Sequence, residues 1–438
     1  MRAATGVRGL ALAALVGGGA LTACSALIGT RDLELAGDDG GSVLPGQGDG
    51  NAPSGNEAGS SSPGDTGTTP PSDTGTTPPN DTGTTTGDSS ACGGADLQQD
   101  AKNCGRCAHD CGGGTCSAGV CQAWTLVPGQ PGSAAITADD TSIYWSSVSS
   151  GQILKANKDG TQPAVLSTVE SSIPDNMVMD STTLYWGDDR GDVAIRKCAK
   201  TGCDGGAAEL TPESAYYAAV IAVDANNVYF GETEGAIGKV AKSGGAMTFI
   251  ATNFGHARGL AADDASVFVS TDDGISSVPS SRAGVADDTT DAGPLTPLNQ
   301  AAPIGLGLLL AADQNLYWAE YNTGAIKFMP KTGAAVASVV SAGETFPLAV
   351  AVDDTNVYWT ASGPDSSTDK NYRLFVAGYV AMCPKSGCPA SGPVKLATGL
   401  HNPDGIVVDD TAVYFTIYGN ITAQSAEPTE GSIMKVMK

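Results

Sequence analysis

The chain has 438 residues, of which 47 are acidic and 23 basic, so its formal net charge is −24. A surface this acidic repels a phosphate backbone, which excludes nucleic acid as a partner. The charge is compatible with solubility, with bound cations or with cationic partners.

Residues 1–23 predict a lipoprotein signal peptide. Arg2 and Arg8 precede an apolar stretch, Gly9 to Leu21, that is too short to span a membrane. The following Thr-Ala-Cys completes a motif that resembles the lipobox, in which the cysteine, here Cys24, is lipidated and becomes the new N-terminus. Ser25 rather than Asp follows, which in such lipoproteins favours the outer membrane. We expect an exported, lipid-anchored and surface-exposed protein; the alternative is an ordinary signal peptide with a chance cysteine.

Residues 24–91 predict a lipid anchor followed by a disordered stalk. Residues 36–91 are almost entirely Gly, Ser, Thr, Pro, Asp and Asn, with three related units that begin at Asp65, Asp73 and Asp81. This composition buries too little apolar area to offset the loss of chain entropy on folding.

Residues 92–121 predict a small disulfide-rich module. Its six cysteines are Cys92, Cys104, Cys107, Cys111, Cys116 and Cys121. Few large apolar residues lie between them, so the segment needs cross-links to fold. An even number of cysteines remains in this exported chain once Cys24 is lipidated, which favours three disulfides with the pairing left open. Zinc bound through Cys104 and Cys107 with Cys111 or His109 is the alternative.

Residues 122–438 repeat one pattern seven times: a short apolar run reaches an Asp, turns, and restarts with aromatic residues. The repeated aromatic positions, mostly 39 to 49 residues apart, are Tyr144, Tyr185, Tyr229, Phe268, Tyr317, Tyr358 and Tyr414. Self-similarity at this period is typical of β-propeller blades, with one four-stranded sheet per repeat. A third strand in the pattern Gly-x-Ile-x-Lys and a Lys-x-Gly turn lead to the fourth strand.

Closure of the ring is predicted from the incomplete last repeat. It has three strands, near 405–409, 412–417 and 432–437, and the missing fourth matches Trp124–Val127. We therefore predict an all-β, seven-bladed β-propeller whose last blade takes its outer strand from the N-terminal side. Such closure leaves only short, protected sheet edges.

The motifs SIYW, TLYW, NLYW and NVYW, with the later Gly-x-Ile-x-Lys, resemble the YWTD repeats of lipoprotein-receptor propellers. They are also similar to repeats in bacterial surface lipoproteins with a Cys-rich segment ahead of a propeller. The resemblance covers about 123–438 and implies the fold; function does not transfer with it.

Four further cysteines predict two local disulfides. Cys198 with Cys203 and Cys383 with Cys388 flank the third-to-fourth-strand turns CAKTGC and CPKSGC. Residues at the two ends of such a hairpin loop face each other at disulfide distance. We interpret both pairs as cross-links and not as redox centres.

Aspartates recur at the first hairpin of each repeat, at Asp139, Asp180, Asp224, Asp263, Asp313, Asp353 and Asp409. Asp side chains bond the backbone of turns, so a turn role is favoured over a ring of cation ligands.

Residues that could carry chemistry are few, and no G-x-S-x-G, H-E-x-x-H or Walker-type motif occurs. Alignment of the repeats brings candidates to the channel mouth at Asp175, His256, Arg258, His401 and Asp404. Such a set would serve a metal-dependent propeller lyase or lactonase, with Ca²⁺ or another divalent cation as cofactor. For the two histidines, surface loops are the simpler interpretation.

The favoured function is a non-catalytic binding or display propeller on the cell surface, monomeric and without a cofactor. Its ligand, a protein or a glycan, is expected on the top face at blades 6 and 7. These blades carry long polar second-to-third-strand loops, 361–372 and 418–431, and long loops in compact domains tend to be functional. The Cys-rich module is expected on the opposite face. The alternatives are the metal-dependent enzyme and a structural envelope protein.

Overall fold

A computed structural model describes residues 92–168, 174, 176–187, 195–203, 206–211, 218, 220–232, 235–271, 273–286, 291–299, 309–334, 337–366, 374–422 and 425–438. The predicted signal peptide, Cys24, the stalk and Asp175 lie outside these residues. No helix in the described ranges has the length and apolar character needed to cross a membrane.

Seven antiparallel four-stranded sheets form a seven-bladed propeller, as the repeats predict. The chain first forms a small hairpin, β1 (Cys116–Ser117) and β2 (Val120–Cys121), and then a single strand, β3 (Trp124–Pro128). Blade 1 follows as β4 (Ser133–Ala138), β5 (Ser142–Ser147), β6 (Gln152–Asn157) and β7 (Ala164–Thr168). Blade 2 is β8 (Met177–Met179), β9 (Thr183–Gly187), β10 (Ile195–Ala199) and β11 (Ala208–Glu209). Blade 3 is β12 (Val220–Val223), β13 (Asn227–Gly231), β14 (Ile237–Ala241) and β15 (Thr248–Ala251).

The second half of the ring repeats the same meander. Blade 4 is β16 (Gly259–Ala262), β17 (Ser266–Thr271), β18 (Gly274–Pro279) and β19 (Thr296–Asn299). Blade 5 is β20 (Leu309–Ala312), β21 (Asn315–Glu320), β22 (Ala325–Pro330) and β23 (Ser338–Ala342). Blade 6 is β24 (Pro347–Val352), β25 (Asn356–Ala361), β26 (Gly378–Pro384) and β27 (Val394–Leu400). The remaining strands are β28 (Pro403–Val408), β29 (Ala412–Ile417), β30 (Asn420–Thr422), β31 (Ser425–Thr429) and β32 (Ser432–Met437).

Blade 7 closes the ring in the predicted way. Its strand order is β28, β29, β32 and then β3, so its outer strand comes from the N-terminal side. Trp124 pairs with Lys435, and Val127 pairs with Ile433. Val127 is buried with Ile136 and Trp145 of blade 1, so closing the sheet also closes the packing between blades 7 and 1.

The core lies between neighbouring blades. The seven repeated aromatics lie on second strands and are at most 3% exposed. The following tryptophans, Trp145, Trp186, Trp318 and Trp359, are buried as completely. Burying rings of this size is a main source of stabilising free energy. Clusters combine residues from successive blades, such as Tyr317 of blade 5 with Trp359 of blade 6.

Five disulfides are present. The Cys-rich module pairs Cys92–Cys107, Cys104–Cys116 and Cys111–Cys121, and the blades contain Cys198–Cys203 and Cys383–Cys388. The zinc alternative is wrong, because all three proposed cysteine ligands are used in disulfides. The two ring nitrogens of His109 instead lie 2.6 Å from the backbone oxygens of Cys104 and Lys438.

The module rests on the end of blade 7. Met437 packs against the disulfide cluster, and the Trp124 ring lies against Gly113 and Gly114. Both contacts are on the lower face, defined as the face that bears the first-to-second-strand and third-to-fourth-strand turns, such as 139–141 and 158–160 of blade 1. The predicted attachment of the module to this face is confirmed.

Candidate functional site

The lower face is built from aspartate turns. In six blades the Asp Oδ1 accepts hydrogen bonds from the backbone amides two and three residues later: Asp139, Asp180, Asp224, Asp263, Asp353 and Asp409. Blade 5 differs, because Ala312 occupies the equivalent position and Asp313 follows it with a φ of 51°. The turn role holds for six aspartates, and Asp313 sits one residue later than the repeat alignment implies.

At most blade junctions the second carboxylate oxygen, Oδ2, joins an aspartate to the neighbouring blade. At six of the seven blade junctions an aspartate of one blade pairs with the lysine that directly follows the third strand of the next blade. The pairs are Asp139–Lys200 (3.3 Å), Asp180–Lys242 (3.0 Å), Asp263–Lys331 (3.1 Å), Asp313–Lys385 (2.5 Å), Asp353–Lys438 (2.7 Å) and Asp409–Lys158 (2.8 Å). All six carboxylates are thus used in ion pairs, and five of them also cap a turn, as the turn role predicts.

The aspartate pKa values follow from this geometry. Burial alone would raise the pKa of Asp139, but hydrogen bonds from the Thr141 and Ser142 amides, Tyr144 and Lys200 outweigh it and lower the pKa to about 2. Burial and the Asp139 carboxylate raise the pKa of Tyr144 to about 12. Asp139 is therefore ionised and Tyr144 neutral at neutral pH.

At the junction between blades 3 and 4, backbone hydrogen bonds from the segment around Val285, here called the Val285 strap, take the place of the ion pair. Ser280 occupies the lysine position, since its amide donates to Ala265 O as the Lys242 amide donates to Asn226 O. The turn of blade 4 is longer, and Val285 exchanges two backbone hydrogen bonds with Phe249 on the outer strand of blade 3. No lysine or arginine pairs with Asp224 among the residues that the structure describes.

The top face bears the second-to-third-strand loops and the loops that join blades, such as 148–151 and 129–132 in blade 1. Three joining loops place one residue in the left-handed region just before an inner strand: Gly132 (φ 68°), Phe346 (φ 54°) and Asn402 (φ 55°). Each carbonyl accepts from the residue after the second strand, at 2.9–3.0 Å. Gly and Asn adopt this conformation readily, whereas Phe does so at a cost on the order of 1 kcal/mol.

Blade 6 adds structure to its top loop. Asp365 and Phe375 form an isolated antiparallel bridge, and Ser366 donates its amide hydrogen to Leu374 O. Phe375 is buried and meets the Phe346 ring edge-on, with ring centroids 6.2 Å apart. The middle of the predicted loop, 367–373, lies outside the described residues.

Blade 7 carries a second hairpin on its top face. β30 pairs with β31, and this hairpin replaces the irregular loop expected from the sequence. His401 Nδ1 lies 3.0 Å from Glu430 Oε2, and the two side chains are 37% and 66% exposed. Ser362 Oγ of blade 6 donates to Asn402 Oδ1 at 3.2 Å, which links the top loops of the two blades.

The predicted channel-mouth residues come from different blades. His256 and Arg258 precede the inner strand of blade 4, while His401 and Asp404 belong to blade 7, three junctions away. His256 is exposed and Arg258 half-buried. Asp404 is buried, and its backbone oxygen accepts a hydrogen bond from Thr360 Oγ1 at 2.6 Å.

Metal ligands are scarce in the described ranges. There, the one group of at least three His, Cys, Asp or Glu ligand atoms close enough for a metal ion is Cys104, Cys111 and Cys121. All three are disulfide-bonded. Asp175 lies outside the described residues, so the metal site at the channel mouth stays a prediction.

Two buried glutamates support the top of blades 5 and 6, and the sequence analysis missed them. Glu344 accepts from Ser341 Oγ, Trp359 Nε1 and Tyr379 OH at 2.6–3.2 Å. Burial alone would raise the pKa of Glu320, but hydrogen bonds from Lys327, Thr323 and Trp318 lower it. Glu320 ends the aromatic strand β21 and Glu344 lies between β23 and β24, and the repeat alignment singles out neither.

The comparisons with known proteins concern the fold. No family model matches the chain, and no curated protein matches it. Virginiamycin B lyase from Staphylococcus aureus is 14% identical with a TM-score of 0.53, covering 72% of this chain and 98% of the lyase chain. A catalytically inactive variant of that lyase with quinupristin is 15% identical with a TM-score of 0.52, and the match covers the same shares of the two chains. A chain of a nidogen/laminin complex is 18% identical, and the match covers 46% of this chain and 76% of that chain. Its TM-score of 0.37 is too low to support any inference. At such identities the likeness to the lyase shows the propeller fold alone.

Proposed function

We propose that this chain is a lipid-anchored binding propeller of the bacterial cell surface, and that its ligand binds the top face at blades 6 and 7. The observation that carries this proposal is the asymmetry of the two faces. The lower face is used by turns, ion pairs and the Cys-rich module, whereas the added elements of blades 6 and 7 project from the top.

The contacts within the top face support a preformed site. The Ser362 amide donates a hydrogen bond to Phe346 O, Ser362 Oγ donates to Asn402 Oδ1, and the Tyr418 amide donates to Asn402 O. The exposed His401–Glu430 pair adjoins this network, because His401 directly precedes Asn402. A connected network holds side chains in place before a ligand arrives, which reduces the entropy lost on binding.

The anchor completes the proposal. The lipobox-like cysteine Cys24 and the Gly-, Ser- and Thr-rich stalk precede the Cys-rich module in sequence. Because the module attaches to the lower face, a chain anchored through Cys24 would present the top face to the surroundings. This order matches the bacterial surface lipoproteins that the repeats resemble.

The test replaces residues 364–376 and 420–429 by Asn-Gly turns, separately and together. The intact and shortened chains are screened against arrays of oligosaccharides and of purified extracellular proteins. We expect each ligand found with the intact chain to bind the double replacement at least about tenfold more weakly. Thermal melting confirms that the ring remains folded. The control, D140N with D354N, changes two exposed aspartates of the lower face and leaves binding unaltered. Equal binding by the intact and doubly shortened chains contradicts the proposal.

A lyase or lactonase at the channel mouth is the remaining alternative. The lyase likeness supports it only through the shared fold, and the candidate residues are divided between blades 4 and 7. No contact in the described residues favours it over binding.

A further inference from the structure

Phe346 breaks the residue preference of its position in the repeat. Gly132 and Asn402 occupy the equivalent place in two other joining loops, with the same left-handed backbone and the same carbonyl hydrogen bond. Gly and Asn are the residues that tolerate this conformation best, and a bulky side chain there is an outlier. A position where the sequence departs from what the fold prefers is a candidate for function.

The surroundings of Phe346 hold its ring in one place. Tyr321 stacks on it with ring centroids 4.7 Å apart and an interplanar angle of 24°. Phe375 meets it edge-on at 6.2 Å and 70°. Tyr321 and Phe375 are 5% and 7% exposed, while Phe346 remains partly exposed and Val376 beside Phe375 is 36% exposed. The two buried rings thus support a third ring that reaches the surface.

Hydrogen bonds connect the Phe346 backbone to polar side chains of blade 7. Ser362 donates hydrogen bonds to Phe346 O and to the side-chain oxygen of Asn402, and it therefore bridges these two residues. His401, next to Asn402, pairs with Glu430 at the surface. The top of blades 6 and 7 therefore combines a fixed aromatic surface with amide, carboxylate and imidazole groups.

We propose that this combination binds a saccharide, with one pyranose ring packed on Phe346 and its hydroxyls hydrogen-bonded to Asn402 and to the His401–Glu430 pair. A pyranose presents an apolar face of C–H groups that packs on an aromatic ring, and hydroxyls that both donate and accept hydrogen bonds. Sites of this kind pair aromatic surface with a few fixed polar groups. This inference rests on the proposed function and specifies the class of its ligand.

The test measures binding of chitobiose, cellobiose, lactose and mannobiose to the full chain by saturation-transfer NMR and titration. A proline-rich decapeptide serves as the competing class of ligand. We expect at least one disaccharide to bind, F346L to weaken it roughly tenfold or more, and F346W to retain it. F328L is the matched control. Phe328 is also partly buried and stacks on a tyrosine, Tyr317, at 5.7 Å, but it lies on β22, away from the top loops.

Each outcome decides the proposal. Should F346L fail to fold, F346N replaces it, because Asn occupies the equivalent position at 402. The saccharide inference is overturned if no disaccharide binds the wild type, if F346L binds equally well, if F328L weakens binding as much, or if only the peptide binds. A ligand that is lost on shortening the loops but retained by F346L leaves the proposed function standing and removes this inference alone.

Discussion

At the scale of single residues, one aspartate in each of five blades serves two structures at once. Oδ1 caps its own turn, and Oδ2 pairs with a lysine of the next blade. The turn role was predictable, because Asp and its amide partners are adjacent in sequence. The lysine was visible only as part of a Lys-x-Gly turn, since Lys200 lies 61 positions after Asp139 and they meet only when blades pack. The strained Phe346 had no sequence signal, because its φ depends on the joining loop.

Ser280→Lys is expected to stabilise the propeller. Its amide already makes the hydrogen bond that lysines make at the other junctions, so we expect the new ammonium to pair with Asp224 and to outweigh the loss of the hydrogen bond from Ser280 Oγ to Asp264 O. A partly buried ion pair of this type contributes about 1 kcal/mol to the free energy of unfolding, measured by urea denaturation. S281K adds the same charge one residue later, where the side chain is exposed, and serves as control. A gain that persists when Asp224 is also changed to Asn would refute the pairing.

At the scale of elements, the repeat predicted the strands of every blade and the origin of the closing strand. It did not predict what lies outside the repeat: the β30–β31 hairpin, the Asp365–Phe375 bridge and the Val285 strap. These segments are polar or Gly-rich and have no apolar alternation. The hairpin and the bridge pair within their own loops and the strap pairs with the neighbouring blade, and all three lack the alternating apolar pattern that marks a strand in sequence.

The closing strand is expected to dominate the effect of truncation. A chain of residues 123–438 keeps β3 and should unfold cooperatively. A chain of residues 129–438 loses Val127, which is 3% exposed, together with the backbone pairing to β32. We expect it to be less stable by at least about 3 kcal/mol in urea denaturation. Equal unfolding free energies for the two chains would show that β3 does not close the ring.

At the scale of the whole molecule, the aspartate ring predicts an acid limit to stability. Six aspartates have folded pKa values below the ordinary value. A lowered folded pKa adds stability that is present above the unfolded pKa, about 3.9, and is lost as pH falls through the folded pKa. The unfolding free energy should therefore fall steadily as pH drops from about 4 towards 2. D139N should reduce that slope, and a slope identical to wild type would argue against the assigned pKa of Asp139.

Cys24→Ala tests how the whole chain is held. If Cys24 carries the lipid, the wild type fractionates with membranes and its mature N-terminus carries an acyl mass. The alanine variant should be released or remain unprocessed. A wild type that is wholly soluble after export, without an acylated N-terminus, would contradict the anchor.

The route of the chain through blade 7 has a mechanical consequence. β3 leaves the Cys-rich module at the lower face, and its five residues run upward along β32. With the module pulled and the top face gripped by a ligand, the force acts along the axis of β3. The pairs from Trp124–Lys435 to Pro128–Ser432 are then loaded in shear and must break together, not in succession. Tension on such a tether is resisted by the whole outer strand at once.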